Sequence, residues 1–329
     1  MKHLHKQCGI SLVEILVALV ISLFLLGGIV QVYLGNKTTF KFTNALAEIQ
    51  ENGRFALDSM SQDLRLSNEW GCVKFNPADT DNINNTINTG TFAGYNSNVH
   101  DFVGEEAIEG TNNAGLNGSD TVTIRGGKPG QANVQSPFVL AGTPSLNVTA
   151  GSRIGQGDFV LVTRCGANDL LIEAEADILR VTTSTTVAAN TLLTFAGSKS
   201  QQYQNDASVI ELQTVTYNIA NGASGEPALF RTEFGTAVEL VEGIEDMQLL
   251  YGVDSDNDQF ANQYLSSNNV ADFDDVVSIR VMLLLRSIDD FVAEAPQVYS
   301  FNGVQTTPGD RRLRQVFTAT VALRNRIGS

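Results

Sequence analysis

The chain has 329 residues, and its 36 acidic against 21 basic side chains give a formal net charge of −15. A protein with this acidic net charge lacks the positive surface that nucleic-acid binding requires. Two of the three histidines, His3 and His5, fall within the first nine residues, so only His100 remains for a zinc site or a Ser-His-Asp triad. We therefore expect no enzyme. We place His100 in a surface loop, because Asn and Gly residues surround it.

The chain begins with a polar leader, residues 1–9, that contains no acid. A secretory signal peptide is cut after its apolar core. Here the small residue Gly9 precedes the apolar stretch, so a cut at Gly9 leaves that stretch on the mature chain and gives Ile10 a free α-amino group. Glu14 then lies close to this amino group. A carboxylate at the edge of a membrane segment is costly and indicates a functional partner.

An uncharged apolar run, residues 15–34, follows Glu14. As a helix rising ~1.5 Å per residue it spans ~30 Å, the thickness of a bilayer core. Because Lys2 and Lys6 precede the run, the positive-inside rule leaves the N-terminus in the cytoplasm and sends the chain after Asn36 across the membrane. The sequence thus predicts a single-pass inner-membrane protein with a periplasmic domain.

The leader and the acid resemble the type IV prepilin family, whose leader ends in Gly and whose mature chain has Glu at its fifth position. Gly9 and Glu14 match this pattern, whereas Ile10 stands where the family usually has Phe. The resemblance implies cleavage between Gly9 and Ile10 by a prepilin peptidase, methylation of the new terminus, and a role for Glu14 as an assembly contact. The alternative is an uncleaved single-pass anchor with an incidental acid.

Beyond the membrane segment the helical pattern continues, so we predict one long helix over residues 10–66. The apolar stripe that indicates it consists of Leu46, Ile49, Gly53, Ala56, Met60 and Leu64. Such a helix measures ~85 Å. We expect weak points at Gly27-Gly28 and at Gly53, because glycine costs ~1 kcal/mol in a helix interior.

Residues 67–329 read as a β-rich domain, in which the Asn- and Gly-rich residues 76–118 form a long exposed loop. The predicted strands lie at 120–125, 138–140, 158–164, 170–174, 179–183, 214–219, 247–253, 277–286 and 317–323. The longest of them alternate apolar and polar residues, which indicates an antiparallel sheet with one face covered by the helix stripe. The predicted fold class is α+β and pilin-like, with a long membrane-spanning helix packed on an antiparallel sheet.

Several downstream segments are similar to PilW-type minor pilins. These are Gly71-Cys72 and the ranges 241–254, 276–280 and 312–325. The resemblance implies a minor pilin that takes part in type IV pilus assembly or priming and then in the fibre, supporting adhesion or motility. Its implied partners are the prepilin peptidase, other minor and major pilins, and the inner-membrane assembly platform. The alternatives are a type II secretion pseudopilin and a membrane-anchored adhesin or binding domain that never polymerises.

The number of cysteines that remain after leader removal favours one disulfide. Cys8 leaves with the leader, and Cys72 and Cys165 remain in a compartment that permits disulfides. A bridge between them would close a loop of roughly 90 residues, for which chain entropy predicts at most ~4–5 kcal/mol. The alternative is two free buried thiols.

Two charged clusters remain. Asp254, Asp256 and Asp258 alternate as in the opening of an EF-hand, but the EF-hand pattern then fails at Gln259 and Leu265. Either these three acids form a shorter calcium loop, completed by Asp272, Asp274 or Asp275, or they form a solvated acidic turn between strands, with no cofactor. The basic cluster of Arg311, Arg312 and Arg314 is interpreted as strand-edge charge that discourages pairing.

Overall fold

The computed structural model describes residues 11–71, 83–87, 96–100, 102, 106–130, 132–164, 176–187 and 189–325. Its dominant element is helix α1, Leu12–Arg65, which has 54 residues. This confirms the long N-terminal helix. Gly27 and Gly28 do not interrupt it, so the ~1 kcal/mol that each glycine costs does not break the helix. The helix ends at Leu66, whose backbone N–H donates to the carbonyls of Asp63 and Leu64.

The rest of the described chain is mainly β-structure. A short helix α2, Ser97–His100, and 3-10 turns at Leu116–Gly118, Ser267–Asn269 and Phe273–Asp275 interrupt it. The strands are β1 Ile83–Asn85, β2 Ile108–Thr111, β3 Thr121–Gly127, β4 Ala132–Asn133, β5 Ser145–Thr149, β6 Phe159–Arg164, β7 Ala176–Val187, β8 Asn190–Phe195, β9 Ala207–Asn221, β10 Pro227–Glu233, β11 Thr236–Glu242, β12 Ile244–Val253, β13 Gln263–Leu265, β14 Val276–Arg286, β15 Tyr299–Phe301, β16 Val304–Thr306 and β17 Arg314–Ala322.

The larger sheet has the strand order β11-β10-β9-β6-β7-β8-β5, with β1 to β4 attached at its sides. Strand β9 is its spine, because residues 207–211 of β9 pair with β6 whereas residues 215–221 pair with β10. Every pairing in this sheet is antiparallel except that of β1 with β7. The predicted antiparallel sheet is therefore confirmed.

The smaller sheet has the order β13-β12-β14-β17, and helix α1 packs on it. The C-terminal part of α1 buries Ile49, Ala56, Met60 and Leu64 in one core. Alternate residues of β12, β14 and β17 line the same core, as period two requires, and so do residues of β2, β3, β9 and β10 from the larger sheet. The helix stripe thus lies where both sheets meet.

Strand β6 separates two further cores. Val160 and Val162 pack into one of them with β5, β7 and β8, whereas Phe159 and Leu161 face the other, which contains Trp70 and Phe102. Both faces of β6 are covered, which explains its uninterrupted run of apolar residues.

The stretch 76–118 differs from the predicted exposed loop. Its described residues include β1, α2 and β2, and Ile87, Phe102 and Ile108 are buried. A few isolated apolar side chains are enough to bind a polar segment to a sheet. The sequence pattern did not show this, because the strands that they contact are not their sequence neighbours. Residues 138–140, predicted as a strand, pair with no strand in the described part of the chain.

His100 is also misplaced by the sequence interpretation. It is buried, its ring stacks on Phe234 at a centroid distance of 5.9 Å, and it lies 5.1 Å from the ring of Phe159. Burial lowers the pKa of His100, which favours the neutral imidazole. The residue serves as an aromatic member of the third core.

Candidate assembly interface

The N-terminal half of α1 is an apolar rod without a protein partner in the described chain. Each large apolar side chain from Leu12 to Leu34 is 50–79% exposed. The helix is long and apolar enough to cross a membrane, with a mean hydropathy of 2.7 over its most apolar window. Exposed apolar area on this scale marks a membrane or protein contact. Together with the leader motif, it anchors the chain in a membrane.

Glu14 is the only charged residue between Ser11 and Asn36. It lies in the first turn of α1, where its backbone N–H donates to the carbonyl of Ser11 at 3.0 Å. The positive end of the helix dipole favours a carboxylate there. In the part of the chain that the structure describes, Glu14 forms no ion pair. Its predicted partner, the α-amino group of Ile10, lies outside the described residues, as does Gly9.

The packed half of α1 begins near Phe42, which contacts the first core. Thr38 and Thr39 already line a pocket with residues 292–297. Residues 12–37 therefore project from the β-rich domain as a free helix ~39 Å long, at ~1.5 Å per residue. Lys37 and Lys41 follow the apolar run directly. Their exposed ammonium groups lie at the level where a membrane-spanning helix leaves the bilayer.

An ion network joins the end of α1 to the larger sheet. The Asp63 carboxylate is nearly buried and accepts hydrogen bonds from Tyr217 Oη at 2.7 Å and Arg231 Nε at 2.8 Å. Arg231 continues to Glu233 at 2.7 Å, and Lys128 joins Glu233 to Glu211 at 2.7 and 2.6 Å.

The titration behaviour of this network follows from its geometry. Burial and the neighbouring Asp63 raise the pKa of Tyr217, so its hydroxyl stays protonated and donates. Although burial disfavours the cation, hydrogen bonds to Asp63 and Glu233 raise the pKa of Arg231. The helix is thus fixed in rotation and height on the sheet by hydrogen bonds as well as by apolar packing.

The basic cluster near β17 has a different role from the predicted one. Arg314 is buried and bonds Glu245 at 2.6 Å and Asp310 at 2.6 Å, while Arg312 bonds Glu226 at 2.9 Å. These guanidinium groups pair internally, because Glu226 and Glu245, which are remote in sequence, converge on them together with the nearby Asp310. Arg311 instead stacks on the exposed ring of Phe291, 4.4 Å from its centroid.

The acidic loop of Asp254, Asp256 and Asp258 comes together as a cluster, with one carboxylate oxygen from each lying within 4.8 Å of the others. The carboxylate of Asp254 accepts the backbone N–H groups of Asp256, Asp258 and Gln259. Although desolvation disfavours its charged form, these N–H groups lower the pKa of Asp254. The loop is therefore held by its own backbone.

Calcium binding by this loop stays a prediction. If the loop binds calcium, millimolar calcium will raise the melting temperature of the protein, and Asp256→Ala will abolish that rise.

The predicted Cys72–Cys165 bridge and Cys8 also lie outside the described residues. The disulfide stays a prediction, and thiol labelling of denatured, unreduced protein tests it. Quantitative labelling of both Cys72 and Cys165 would contradict it.

Sequence reasoning missed Asp63 and Arg231. One signal was present: Asp63 is an acid that borders the apolar stripe at Met60 and Leu64. Nothing local indicated its partner, because Arg231 lies 168 residues further along the chain.

Two family models match the chain at opposite ends. Residues 216–325 match the family described as Type IV Pilus-assembly protein W, and residues 4–30 match the Prokaryotic N-terminal methylation motif. The first match takes in the whole of the smaller sheet, and the second ends within the apolar half of α1. No curated protein and no solved structure matches the chain. The two matches support a PilW-type pilin with a class III prepilin leader.

Proposed function

We propose that the chain is a minor pilin that takes part in assembling or priming a type IV pilus and is then built into the fibre. A prepilin peptidase cuts between Gly9 and Ile10 while α1 holds the chain in the inner membrane, with its β-rich domain in the periplasm. The mature chain then joins other minor and major pilins at the assembly platform. The observation that carries this proposal is the solitary Glu14 on a bare apolar helix.

The physical argument concerns the cost of an isolated charge. A carboxylate in an apolar medium loses its hydration, and so does a free α-amino group, at several kcal/mol for each ion. Glu14 lies about one helical turn from Ile10. A neighbour whose terminal amine reaches Glu14 relieves both costs at once, which draws the two helices into a fixed register. The exposed apolar surface of α1 then packs on the neighbouring helix.

The two alternatives are weighed by different observations. The match of residues 216–325 to a pilus-assembly family favours a pilus over a type II secretion system. A membrane-anchored adhesin that never polymerises would need the same apolar helix, but it would have no need of Glu14. Twitching, adhesion and DNA uptake remain alternative uses of the same fibre.

The test is Glu14→Ala, with Glu48→Ala as its matched control, because Glu48 is an exposed acid on the same helix beyond the apolar run. We expect Glu14→Ala to be processed and inserted like the parent but recovered in sheared pili about tenfold less, since each ~1.4 kcal/mol is a factor of ten. Glu48→Ala should match the parent. Equal recovery of Glu14→Ala would remove Glu14 as an assembly contact.

Mass spectrometry of the membrane-resident protein tests maturation. We expect an N-terminus at Ile10, because a peptidase pocket shaped for glycine accepts Gly9 and rejects bulkier residues. A chain that retains Met1, or one cut beyond the apolar run, would contradict the proposal and would favour the non-polymerising anchor.

A further inference from the structure

Strand β17 forms one edge of the smaller sheet, since β14 is its only strand partner among the described residues. The two strands pair in register from Ser278 opposite Ala322 to Arg286 opposite Arg314. At one end Leu323 N–H donates to the carbonyl of Val277 at 2.9 Å, and at the other Ser287 N–H donates to the carbonyl of Leu313 at 2.8 Å. These two bonds determine which residues of β17 face β14.

In an antiparallel ladder, both backbone groups of a residue point to the same side, and the side alternates along the strand. Because Leu313 and Leu323 bond towards β14, the odd-numbered residues between them do so too. The even-numbered residues of β17 from Val316 to Ala322 therefore direct their N–H and C=O groups away from the sheet. All four of them, Val316, Thr318, Thr320 and Ala322, are exposed. Among the described residues, nothing else bonds to the backbone of these four.

This edge is also chemically unprotected. Proteins usually blunt a free edge with charge, proline or a short strand. Residues 315–322 contain no charged residue and no proline. Two of the other edge strands are protected in this way: β13 has three residues, and β11 carries Glu239 and Glu242 and pairs with β10 through a bulge. Strand β5 also lacks charge and proline, but it has only five residues.

One end of the edge is positively charged. Arg324 and Arg65 are both exposed, and neither has an ion-pair partner in the described part of the chain. Asn325 connects them, because its Nδ2 donates to the carbonyl of Arg65 at 3.3 Å. In a chain with a net charge of −15, this end of β17 is a local exception.

We propose that the edge of β17 binds an extended segment of a different pilus protein by strand addition. The segment has about seven residues, enough to face Val316–Ala322, and carries an acidic residue at the end that meets Arg324 and Arg65. A second copy of this chain is the weaker occupant, because two chains of charge −15 repel each other. The inference rests on the proposed role as a pilin, and it adds a contact outside the membrane to the helix contact of Glu14.

Thr318→Pro and Thr318→Ala of the full chain form a matched pair. Proline removes the outward N–H of Thr318 without touching a bond to β14, whereas alanine keeps the backbone edge and removes only the side chain. We expect recovery of Thr318→Pro in sheared pili to fall about tenfold, and Thr318→Ala to be recovered like the parent. Amide exchange of the parent provides a second measurement. In the assembled state Val316, Thr318, Thr320 and Ala322 should exchange about tenfold more slowly than in the isolated chain in detergent.

The outcomes separate the two proposals. If the parent enters pili but its even-numbered amides exchange as in the isolated chain, strand addition is overturned and the pilin function stands. Equal recovery of Thr318→Pro and Thr318→Ala also overturns strand addition. If Thr318→Pro fails to fold, the amide exchange of the parent chain decides whether strand addition occurs. A parent chain absent from pili and from pilin complexes overturns the proposed function and the strand addition with it.

Discussion

Gly53 lies where α1 comes closest to strand β17. A Cβ atom added at Gly53 would lie 2.6 Å from two ring carbons of Phe317 and 2.7 Å from a third. The sequence marked Gly53 as a weak point of the helix, but it is the position at which the helix accommodates an aromatic ring. The cost of glycine in the helix is thus accepted for a close packing contact.

Replacing Gly53 tests whether the gain in helix propensity or the loss by overpacking against Phe317 is larger. Gly53→Ala gains ~1 kcal/mol of helix propensity and loses ~1–3 kcal/mol by overpacking. The ring of Phe317 is rigid and the overlap is large, so we expect a net loss of about 1 kcal/mol in the free energy of unfolding, measured by denaturant titration in detergent. Gly27→Ala is the control, because no atom lies within 4 Å of its added Cβ. Phe317→Leu should recover part of the loss; a more stable Gly53→Ala protein would contradict the overlap.

At the scale of elements, the docking of α1 depends on a small polar cluster within an apolar interface, formed by Asp63 and Ser59 of the helix with Tyr217 and Arg231 of the larger sheet. Asp63 lies beside Leu64, and its carboxylate reaches β9 through Tyr217 and β10 through Arg231. The apolar stripe alone would permit the helix to slide along the sheet. Two hydrogen bonds of defined direction exclude such a shift.

Asp63→Ala should therefore destabilise the protein by more than the small buried area of the side chain would suggest. It leaves Tyr217 with the Ser59 hydroxyl as its remaining hydrogen-bond partner and Arg231 with Glu233 alone, for which we expect a loss of ~2–4 kcal/mol in the free energy of unfolding. Tyr217→Phe should cost ~1 kcal/mol. Asp58→Ala, which removes an exposed acid of the same helix, should stay within ~0.5 kcal/mol of the parent. An Asp63→Ala protein as stable as Asp58→Ala would show that apolar packing alone positions the helix.

At the scale of the whole molecule, a second ion network joins the larger sheet to the smaller one. Glu226 at the start of β10 binds Arg286 of β14 at 2.6 Å, as well as Arg312. Glu245 of β12 binds Arg314 of β17. The Glu226 pairs cross from one sheet to the other, whereas the Glu245–Arg314 pair joins two strands of the smaller sheet, so the relative position of the sheets depends on the charge of Glu226.

Acid should weaken this arrangement. Hydrogen bonds from Arg314 lower the pKa of Asp310 to about 2. Burial disfavours the charged form of Glu226 and Glu233, yet hydrogen bonds from their cationic partners lower the pKa of both. A lowered carboxyl pKa stabilises the folded state above its unfolded value, and this stabilisation is lost as the pH falls through the folded value. Burial raises the pKa of Asp120 and Asp246, which has the opposite sign and offsets part of the loss.

We therefore expect the free energy of unfolding to fall as the pH drops from ~4.5 to ~2. Asp310→Asn should make the fall between pH ~4 and ~2 shallower, because this carboxylate no longer binds a proton on unfolding. The number of protons taken up on unfolding, which sets the slope, should decrease by up to about one. Denaturant titrations at several pH values measure the slope. Asp289→Asn, an exposed acid without an ion pair in the described chain, is the control. An unchanged slope in Asp310→Asn would place the acid sensitivity elsewhere.

The strand predictions were most accurate where the sequence alternates over six or more residues. Residues 247–253, 277–286 and 317–323 became β12, β14 and β17, because period two is produced by one covered and one open face. The same argument failed at 138–140, a short apolar run without a partner strand. It also missed β8, in which a polar residue, Thr191, occupies a buried position, and β10, whose buried residues are consecutive.

The amino-acid sequence by itself determined the features that depend on neighbouring residues. These are the leader motif around Gly9, the single charge of Glu14, the apolar run behind it and the apolar stripe of α1, because helix periodicity and membrane partition act over short distances along the chain. Only the tertiary structure decided that Asp63 meets Arg231, that His100 is buried among aromatic rings, and that β17 presents a free edge. Each of these depends on which strands become neighbours, and that choice is made by packing between segments that are remote in the sequence.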